Sequence, residues 1–139
     1  MDSLLSGRVQ SQVIHAALNM NVMYSPQLLD HFQNPRNAGD LANADATAET
    51  ENPVCGDVVR LSLKLVNGRI AEIQFKAKGC VPAMGCASAV TELALDKTPA
   101  AALKLTPEQV KEAVGGLPSA SNHAAELAID VLCAALKKL

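Results

Sequence analysis

The chain has 139 residues and a mass of 14.5 kDa, a size that fits a single domain. Apolar residues make up 49% of it but aromatic residues only 2%, so the core must be aliphatic, and few side chains offer a platform for stacking bases. Its 12 basic and 14 acidic residues give a formal net charge of −2, without the basic excess of a nucleic-acid-binding protein.

The sequence shows no pattern typical of a membrane span or a signal peptide. No apolar run approaches the roughly 20 residues that span a bilayer. The first residues also lack the basic region, apolar segment and cleavage site of a signal peptide. We therefore expect a cytoplasmic protein with no membrane or nucleic-acid partner. In that reducing compartment the four cysteines are expected to be ligands, nucleophiles or core residues rather than disulfides.

The first part of the chain divides into an extension and a helix. Residues 1–22 differ in character from the rest of the chain, and the four-residue spacing of their apolar positions is typical of a short amphipathic helix. We expect them to form an N-terminal extension to one domain that spans residues 23–139. Ser25-Pro26 predicts a helix start, and Asn34-Pro35 predicts its end.

Alternating apolar and polar residues come next in the chain. Residues 57–66 and 70–78 both alternate, and Asn67-Gly68 between them is the strongest short signal for a hairpin. Thr47–Asn52 is a candidate third strand. The second alternating run predicts a buried face made of Ala71, Ile73, Phe75 and Ala77.

The rest of the chain has helical periodicity. We expect a helix over about residues 83–95, short helices over 99–103 and 106–114, and a last helix over about 121–138. The order of the elements predicts an α+β fold, in which a small antiparallel sheet of about three strands packs against several helices.

Candidate metal ligands lie at the ends of these elements. Cys55 and Asp57 are in the loop that enters the hairpin, Cys80 follows the strand that leaves it, and His123 begins the last helix. A hairpin brings its outer ends together, so Asp57 and Lys78 are expected to be near cross-strand partners. The sheet therefore predicts that two thiols and one carboxylate lie close together.

Two cysteines, an aspartate and a histidine suit tetrahedral Zn²⁺, and the thiolates also suit iron or an iron–sulfur cluster. Gly56 allows the loop to turn tightly enough for Cys55 and Asp57 to face one point. The spacing alone leaves a packing role open, because a cysteine at a strand end is often a small core residue and no C-x-x-C pattern reinforces the site.

Cys86 is a candidate additional ligand. It lies six residues after Cys80, which on a regular helix turns it by about 240° net from the site. It therefore points away from the site unless Pro82 delays the start of the helix. Its alanine neighbours favour packing instead, as does the position of Cys133 inside the last helix.

Four motifs surround these residues. Residues 24–39 contain YSP, DHF and NPRNAG, residues 52–57 read NPVCGD, residues 75–80 read FKAKGC, and residues 117–123 read LPSASNH. Together they resemble the iron–sulfur cluster assembly scaffolds of the IscU/NifU family over about residues 23–139.

The resemblance implies a scaffold with an IscU/SufU-like fold rather than an enzyme. Such a scaffold receives sulfur from a cysteine desulfurase and iron from an iron donor. It assembles a [2Fe–2S] or similar cluster and passes it to apo iron–sulfur client proteins, and zinc can occupy the site of the isolated protein. The family's ligand positions match Cys55, Asp57, Cys80 and His123.

The sequence departs from the family pattern at two places. Ala124 stands where a third cysteine, often the sulfur acceptor, normally follows the histidine. Leu117–Ser121 lacks the second proline and the lysine of the chaperone-recognition segment, which argues against transfer through a dedicated chaperone. Ala124 therefore keeps two alternatives open: a zinc-bound sulfur relay serving a desulfurase, and a degenerate member with a structural metal site.

Overall fold

The structure is a computed structural model, and it describes residues 24–139. The predicted extension over residues 1–22 lies outside the described residues. Within the described range, the elements in chain order are α1 Pro26–Gln33, β1 Ala46–Asn52, β2 Asp57–Val66, β3 Arg69–Lys78, α2 Val81–Ala94, α3 Pro99–Ala102, α4 Pro107–Ala113, a 3₁₀ turn at Ser119–Ser121, and α5 His123–Leu136.

The three strands form one antiparallel sheet in the order β1-β2-β3. The hairpin turns at Asn67 and Gly68, which both have positive φ angles, of 54° and 77°. Such angles are typical of a two-residue hairpin turn. The sheet and the helices confirm the predicted α+β class, the hairpin and the third strand.

The predicted buried face of β3 is wrong at the first residues of the strand. The pairing of β2 with β3 shifts register between Lys64 and Leu65. Leu65 pairs with Ile70 and Lys64 with Glu72, so Ala71 is an extra residue in β3. Because side chains alternate between the two faces, this extra residue reverses the expected faces at the start of the strand. Ile70 is therefore buried and Ala71 exposed, whereas Ile73 and Phe75 lie in the core as predicted.

The helices α2 and α5 pack on one face of the sheet and against each other. The shared core is aliphatic apart from one aromatic ring, as the composition requires. Its most deeply buried side chains include Val59, Leu61, Leu63, Ile70, Val90, Val131 and Leu132.

Two helix starts differ from the sequence prediction. α2 begins at Val81 with Pro82 in its first turn and Cys80 at the N-cap, so Pro82 does not delay the helix. α5 begins at His123, after the short 3₁₀ turn. Between Tyr24 and Leu139, no helix is both long enough and apolar enough to cross a membrane.

Candidate metal centre

Cys55 lies in the turn between β1 and β2. The turn is closed by a hydrogen bond of 2.7 Å from the Gly56 N–H to the Asn52 carbonyl, and Gly56 has a φ of 74°. The Asn52 side chain also accepts a hydrogen bond from the Val54 N–H. Cys55 is exposed, and Val54 beside it is 91% exposed. The backbone of the turn thus holds the Cys55 thiol at the surface.

Asp57 begins β2 and is only 3% exposed. It pairs with Asn52 on β1, and its neighbour Val58 pairs with Lys78, so the predicted cross-strand pair is displaced by one residue. Asp57 Oδ1 accepts a hydrogen bond of 3.1 Å from the Cys80 backbone N–H. This bond, at the N-terminus of α2, satisfies one carboxylate oxygen and leaves Oδ2 facing the other candidate ligands.

Gly79 makes room for this carboxylate. A Cβ atom at residue 79 would lie 2.1 Å from Asp57 Oδ1, and the residue has a φ of +152°. An L side chain would meet both a backbone conformation that it rarely adopts and a direct collision. The glycine therefore leaves the space that the Asp57 carboxylate occupies.

Cys80 is the N-cap residue of α2, and its Sγ lies 3.3 Å from Asp57 Oδ2. Partial burial raises the pKa of the Cys80 thiol, and the hydrogen bond and negative charge of Asp57 raise it further. Without a bound cation, Cys80 is therefore held as a thiol that donates to the carboxylate. A metal ion placed between the two groups would favour the thiolate instead.

His123 joins the cluster from the other side. As the first residue of α5, it places Nε2 3.6 Å from Cys55 Sγ and 3.8 Å from Asp57 Oδ2. Its side chain is 32% exposed. The structure thus brings all four predicted residues together, although they come from a turn, a strand and the first turns of two helices.

The spacing of Cys55, Asp57 and His123 fits a single metal ion. Four ligands at zinc-like bond lengths in a tetrahedron lie about 3.3–3.8 Å from one another. The three contacts named above measure 3.3, 3.6 and 3.8 Å. One ligand atom each from Cys55, Asp57 and His123 also falls within 4.8 Å of the other two. Cys80 is not part of this group and reaches it through its contact with Asp57 Oδ2. Chemistry and distances both suit Zn²⁺ or iron.

Cys86 does not belong to this cluster of ligand atoms. It lies in the core of α2 with 0% exposure. Burial raises its pKa to about 12, so the thiol stays protonated at neutral pH. Because α2 starts at Val81, Cys86 takes the packing role that its alanine neighbours favour. Ala124 is likewise buried, at 1% exposure.

An acidic groove, which sequence reasoning missed, runs from His123 between β1 and α5. It is lined by Glu51 on β1 and by Glu126 and Asp130 on α5, and its other lining residues are Thr50, Asn52, Pro53, His123 and Leu127. The available signal was the spacing of three and seven residues from His123, which places these carboxylates on the same helix face. Three carboxylates therefore line one side of the centre, an arrangement that attracts cations.

The family model for the NifU-like N-terminal domain matches residues 23–139. The chain belongs to this family. Among curated NifU-like relatives, iron–sulfur cluster assembly scaffold protein IscU 1 of Archaeoglobus fulgidus is 46% identical over 110 residues, which cover 79% of this chain and 72% of the relative. The scaffold protein IscU of Aquifex aeolicus is 37% identical over 120 residues, 85% of this chain and 76% of the relative.

Solved structures agree on the fold. The N-terminal part of a NifU-like protein from Brucella abortus superposes with a TM-score of 0.67 at 19% identity, covering 84% of this chain and 93% of that one. A structure at this level of identity supports the NifU-like fold alone. The candidate centre therefore lies on a family fold whose named relatives are assembly scaffolds.

Proposed function

We propose that this protein is a scaffold on which iron–sulfur clusters are assembled and from which they are transferred. The observation that carries the proposal is the meeting of Cys55, Asp57, Cys80 and His123, with ligand-like spacing, in a chain 46% identical to a named scaffold. Iron and the assembled cluster are the cargo of this site. Thiolate sulfurs are the usual protein ligands of such clusters.

The mixed ligand set supports assembly and release over permanent storage. Cys55 and Cys80 supply soft thiolates, whereas Asp57 and His123 supply ligands that exchange more readily. A [2Fe–2S] cluster takes its four protein ligands in two pairs, wider apart than the ligands of one ion. The exposed turn that carries Cys55 has free space around Gly56, so this ligand can move outward to accommodate a larger cargo.

The proposed partners follow from the cargo. Sulfur would come from a cysteine desulfurase, iron from an iron donor, and the finished cluster would go to apo iron–sulfur client proteins. The exposed position of the centre gives each of them access without unfolding the domain. Free thiols as ligands also fit a cytoplasmic location, where cysteines remain reduced.

Anaerobic reconstitution tests the proposal. The full chain is incubated with ferrous iron, cysteine and a cysteine desulfurase, and the visible absorption of thiolate-to-iron charge transfer is followed. We expect these bands in the wild type and in Cys133→Ser, and their loss in Cys55→Ala and Cys80→Ala. A wild-type protein that stays colourless, or bands that survive in both alanine variants, would contradict the scaffold function.

The single-ion spacing favours one alternative, a zinc-bound protein that relays sulfur for a desulfurase. One ligand atom each from Cys55, Asp57 and His123 lies within 4.8 Å of the other two, which is close enough for one ion. In that case the isolated protein holds stoichiometric zinc, stays colourless on reconstitution, and still takes up sulfur. Metal analysis by plasma mass spectrometry beside the absorption spectrum separates the two functions.

A further inference from the structure

We propose that residues 5–17 of this chain bind as an amphipathic helix in an apolar groove beside β3. This segment precedes the described part of the chain, which begins at Tyr24. The proposal does not depend on the scaffold function, because it concerns how the chain covers part of its own surface.

The groove lies between the end of β3, the start of α2 and the loop after α1. It has a volume of about 400 Å³, a size typical of clefts that take apolar groups. Its apolar lining consists of Pro35, Ala38, Phe75, Ala77 and Met84. Pro35 and Ala38 are exposed, and Ala77 and Met84 are partly exposed. An apolar occupant would remove this surface from water, which is favourable in proportion to the area buried.

One wall of the groove is fixed to the sheet. The Gly39 N–H donates a hydrogen bond of 2.8 Å to the Phe75 carbonyl, and the Phe75 N–H donates one of 2.9 Å to the Asn37 carbonyl. The loop after α1 is thus held along the edge of β3. Because the wall is already formed, an occupant does not have to order it, and the cost of binding is low.

The sequence of the N-terminal segment matches an apolar groove. Its apolar residues recur at four-residue spacing, which places them on one face of a helix: Leu5, Val9, Val13 and Ala17. Within residues 5–17, Arg8 is the only Asp, Glu, Lys or Arg. The cation at the rim of the groove, Lys76, is already paired with Asp40 at 2.9 Å, so an uncharged face suits the groove. A helix this short is marginal in water unless its apolar face is buried.

The chain is long enough to bring this segment to the groove. Tyr24 packs against the core, and α1 then runs about 12 Å towards the loop that carries Pro35. Residues 18–23 reach up to about 20 Å when extended, so residue 17 can come to the groove. Attachment to the domain also keeps the segment at a local concentration of about millimolar, so a modest affinity suffices to fill the groove. This favours the chain's own segment as the occupant over a free partner.

An occupied groove would affect the surroundings of the metal centre. Ala77 lines the groove and comes three residues before Cys80 in the chain, a separation of at most about 10 Å. A helix bound there would therefore lie beside the Cys80 end of the centre. It would cover a surface that a protein approaching the centre could otherwise contact.

Photo-cross-linking in the full chain tests this docking. The photoreactive amino acid p-benzoylphenylalanine replaces Val9, and in a control protein it replaces Ser11, about 200° away around the helix. After irradiation, peptide mass spectrometry locates the cross-links. We expect links from residue 9 to peptides that contain residues 35–39 or Met84, their loss when Val13→Asp is added, and none of these links from residue 11.

The other outcomes of this experiment overturn the proposal. Links from residue 9 to other surfaces, or no links at all, mean that the segment does not bind in the groove. Isotope-labelled and unlabelled chains are also irradiated as a mixture. Links that join a labelled to an unlabelled peptide would assign the groove to a second copy of the chain, whereas links within one chain support the proposal.

Methionine methyl NMR gives an independent test, because the chain has four methionines and Met84 lines the groove. Val13→Asp should shift the Met84 methyl resonance by removing the apolar occupant, whereas Ser11→Asp, with the same added charge, should leave it unchanged. Both variants keep every residue of the described fold. An unchanged resonance in both variants would show that the segment does not fill the groove. Equal shifts in both would attribute the effect to charge and contradict docking through the apolar face.

Discussion

Gly79 lies between the last strand of the sheet and Cys80, and its missing side chain decides where a neighbouring carboxylate can be. A Cβ there would lie 2.1 Å from Asp57 Oδ1 and 2.7 Å from its Cγ. The Asp57 side chain is held from the other side by the Cys80 N–H. A side chain at residue 79 must therefore displace the carboxylate.

We predict that Gly79→Ala weakens metal binding while the domain still folds. Changes in residues that orient metal ligands usually reduce affinity about 10- to 100-fold, and we expect a loss in this range in competitive zinc titrations. Gly116→Ala is the matched control, because Gly116 also has a strongly positive φ, of 98°, but nothing within 4 Å of the added Cβ. Equal affinities of the two variants would show that Gly79 acts only through the backbone.

At the metal centre, the positions of some residues could be predicted from the sequence and those of others could not. Cys55, Asp57 and Cys80 were predicted together because a hairpin joins its ends, and the structure confirms that proximity. The role of Gly79 was not predictable, since it depends on the rotamer of a residue more than 20 positions earlier. The direction in which Cys86 points could be predicted only if the first residue of α2 was known.

At the scale of elements, α1 packs closely on α2 at a glycine. A Cβ on Gly85 would lie 2.3 Å from Leu28 Cδ1 and 3.3 Å from the Leu28 carbonyl oxygen. Leu28 is fully buried, so its side chain has little freedom to move aside. The glycine therefore allows a backbone approach that alanine would prevent, despite the helix propensity that alanine adds.

We predict that Gly85→Ala lowers the free energy of unfolding by about 1–2 kcal/mol, the cost of overpacking reduced by the gain in helix propensity. Urea denaturation of Gly85→Ala, Leu28→Ala and the double variant checks the cause. Because Leu28→Ala removes the colliding atoms, we expect the two effects to be clearly less than additive. Strict additivity would mean that the loss arises elsewhere in α2.

Hydrogen bonds among His31, Ser88 and Arg36 join the same two helices and the loop after α1. His31 is 6% exposed, and its Nδ1 lies 2.8 Å from Ser88 Oγ, which itself accepts a hydrogen bond from the Arg36 N–H. Which of the two atoms donates in the Nδ1–Oγ bond depends on the histidine tautomer. Arg36 also contacts Asp30 and Glu92, and Glu92 faces His31 Nε2 at 3.6 Å.

The buried imidazole of His31 makes the stability of the fold depend on pH. Burial lowers the pKa of His31 below its ordinary value of 6.5, the charge of Arg36 lowers it further, and Glu92 and Asp30 only partly oppose them. The unfolded chain then binds the proton more readily than the folded one. The stabilisation is present above the unfolded pKa and is lost as the pH falls through the folded pKa.

We predict that the wild type loses more unfolding free energy than His31→Gln between about pH 7.5 and about pH 5, a range that spans the ordinary histidine pKa. At neutral pH the variant itself should be less stable by about 1 kcal/mol, the usual worth of one buried hydrogen bond. Urea midpoints at both pH values measure this. Parallel pH profiles would place the proton uptake on other groups.

The elements were largely predictable because their signals are local. The Asn67-Gly68 turn and the alternation around it fix the hairpin through backbone conformation alone. The register shift at Lys64 and Leu65 carries no such signal, and it exchanged Ile70 and Ala71 between the two faces. Periodicity indicates that a strand exists, but the bulge results from how the two strands pair.

At the scale of the whole molecule, the least predictable feature is the position of His123 beside Cys55. It lies 68 residues from Cys55 in the chain, and only the docking of α5 against the sheet brings the two together. No local pattern encodes that docking, so the resemblance to known scaffolds, rather than spacing, placed the fourth ligand. The helical spacing of Glu126 and Asp130 from His123 is a local signal for the acidic groove, but the contribution of Glu51 from β1 depends on the same docking.

The assembled centre therefore ties together parts of the chain that are distant in sequence. A metal ion held by Cys55, Asp57, Cys80 and His123 would connect the β1–β2 turn to the first turns of α2 and α5. Because the unfolded chain does not present these groups together, binding would favour the folded state. The stabilisation follows from mass action and reaches about 2.7 kcal/mol at a free metal concentration about 100 times the dissociation constant.

We predict that zinc in this excess raises the melting temperature by about 10 °C, and that a chelator reverses the rise. Cys133→Ser should respond as the wild type does, because its thiol lies in α5 away from the four ligands. Cys80→Ser and His123→Ala should lose most of the rise, as measured by differential scanning calorimetry. If Cys80→Ser kept the full response, zinc would bind elsewhere on the chain, and the four residues would not be the ligands that couple metal binding to folding.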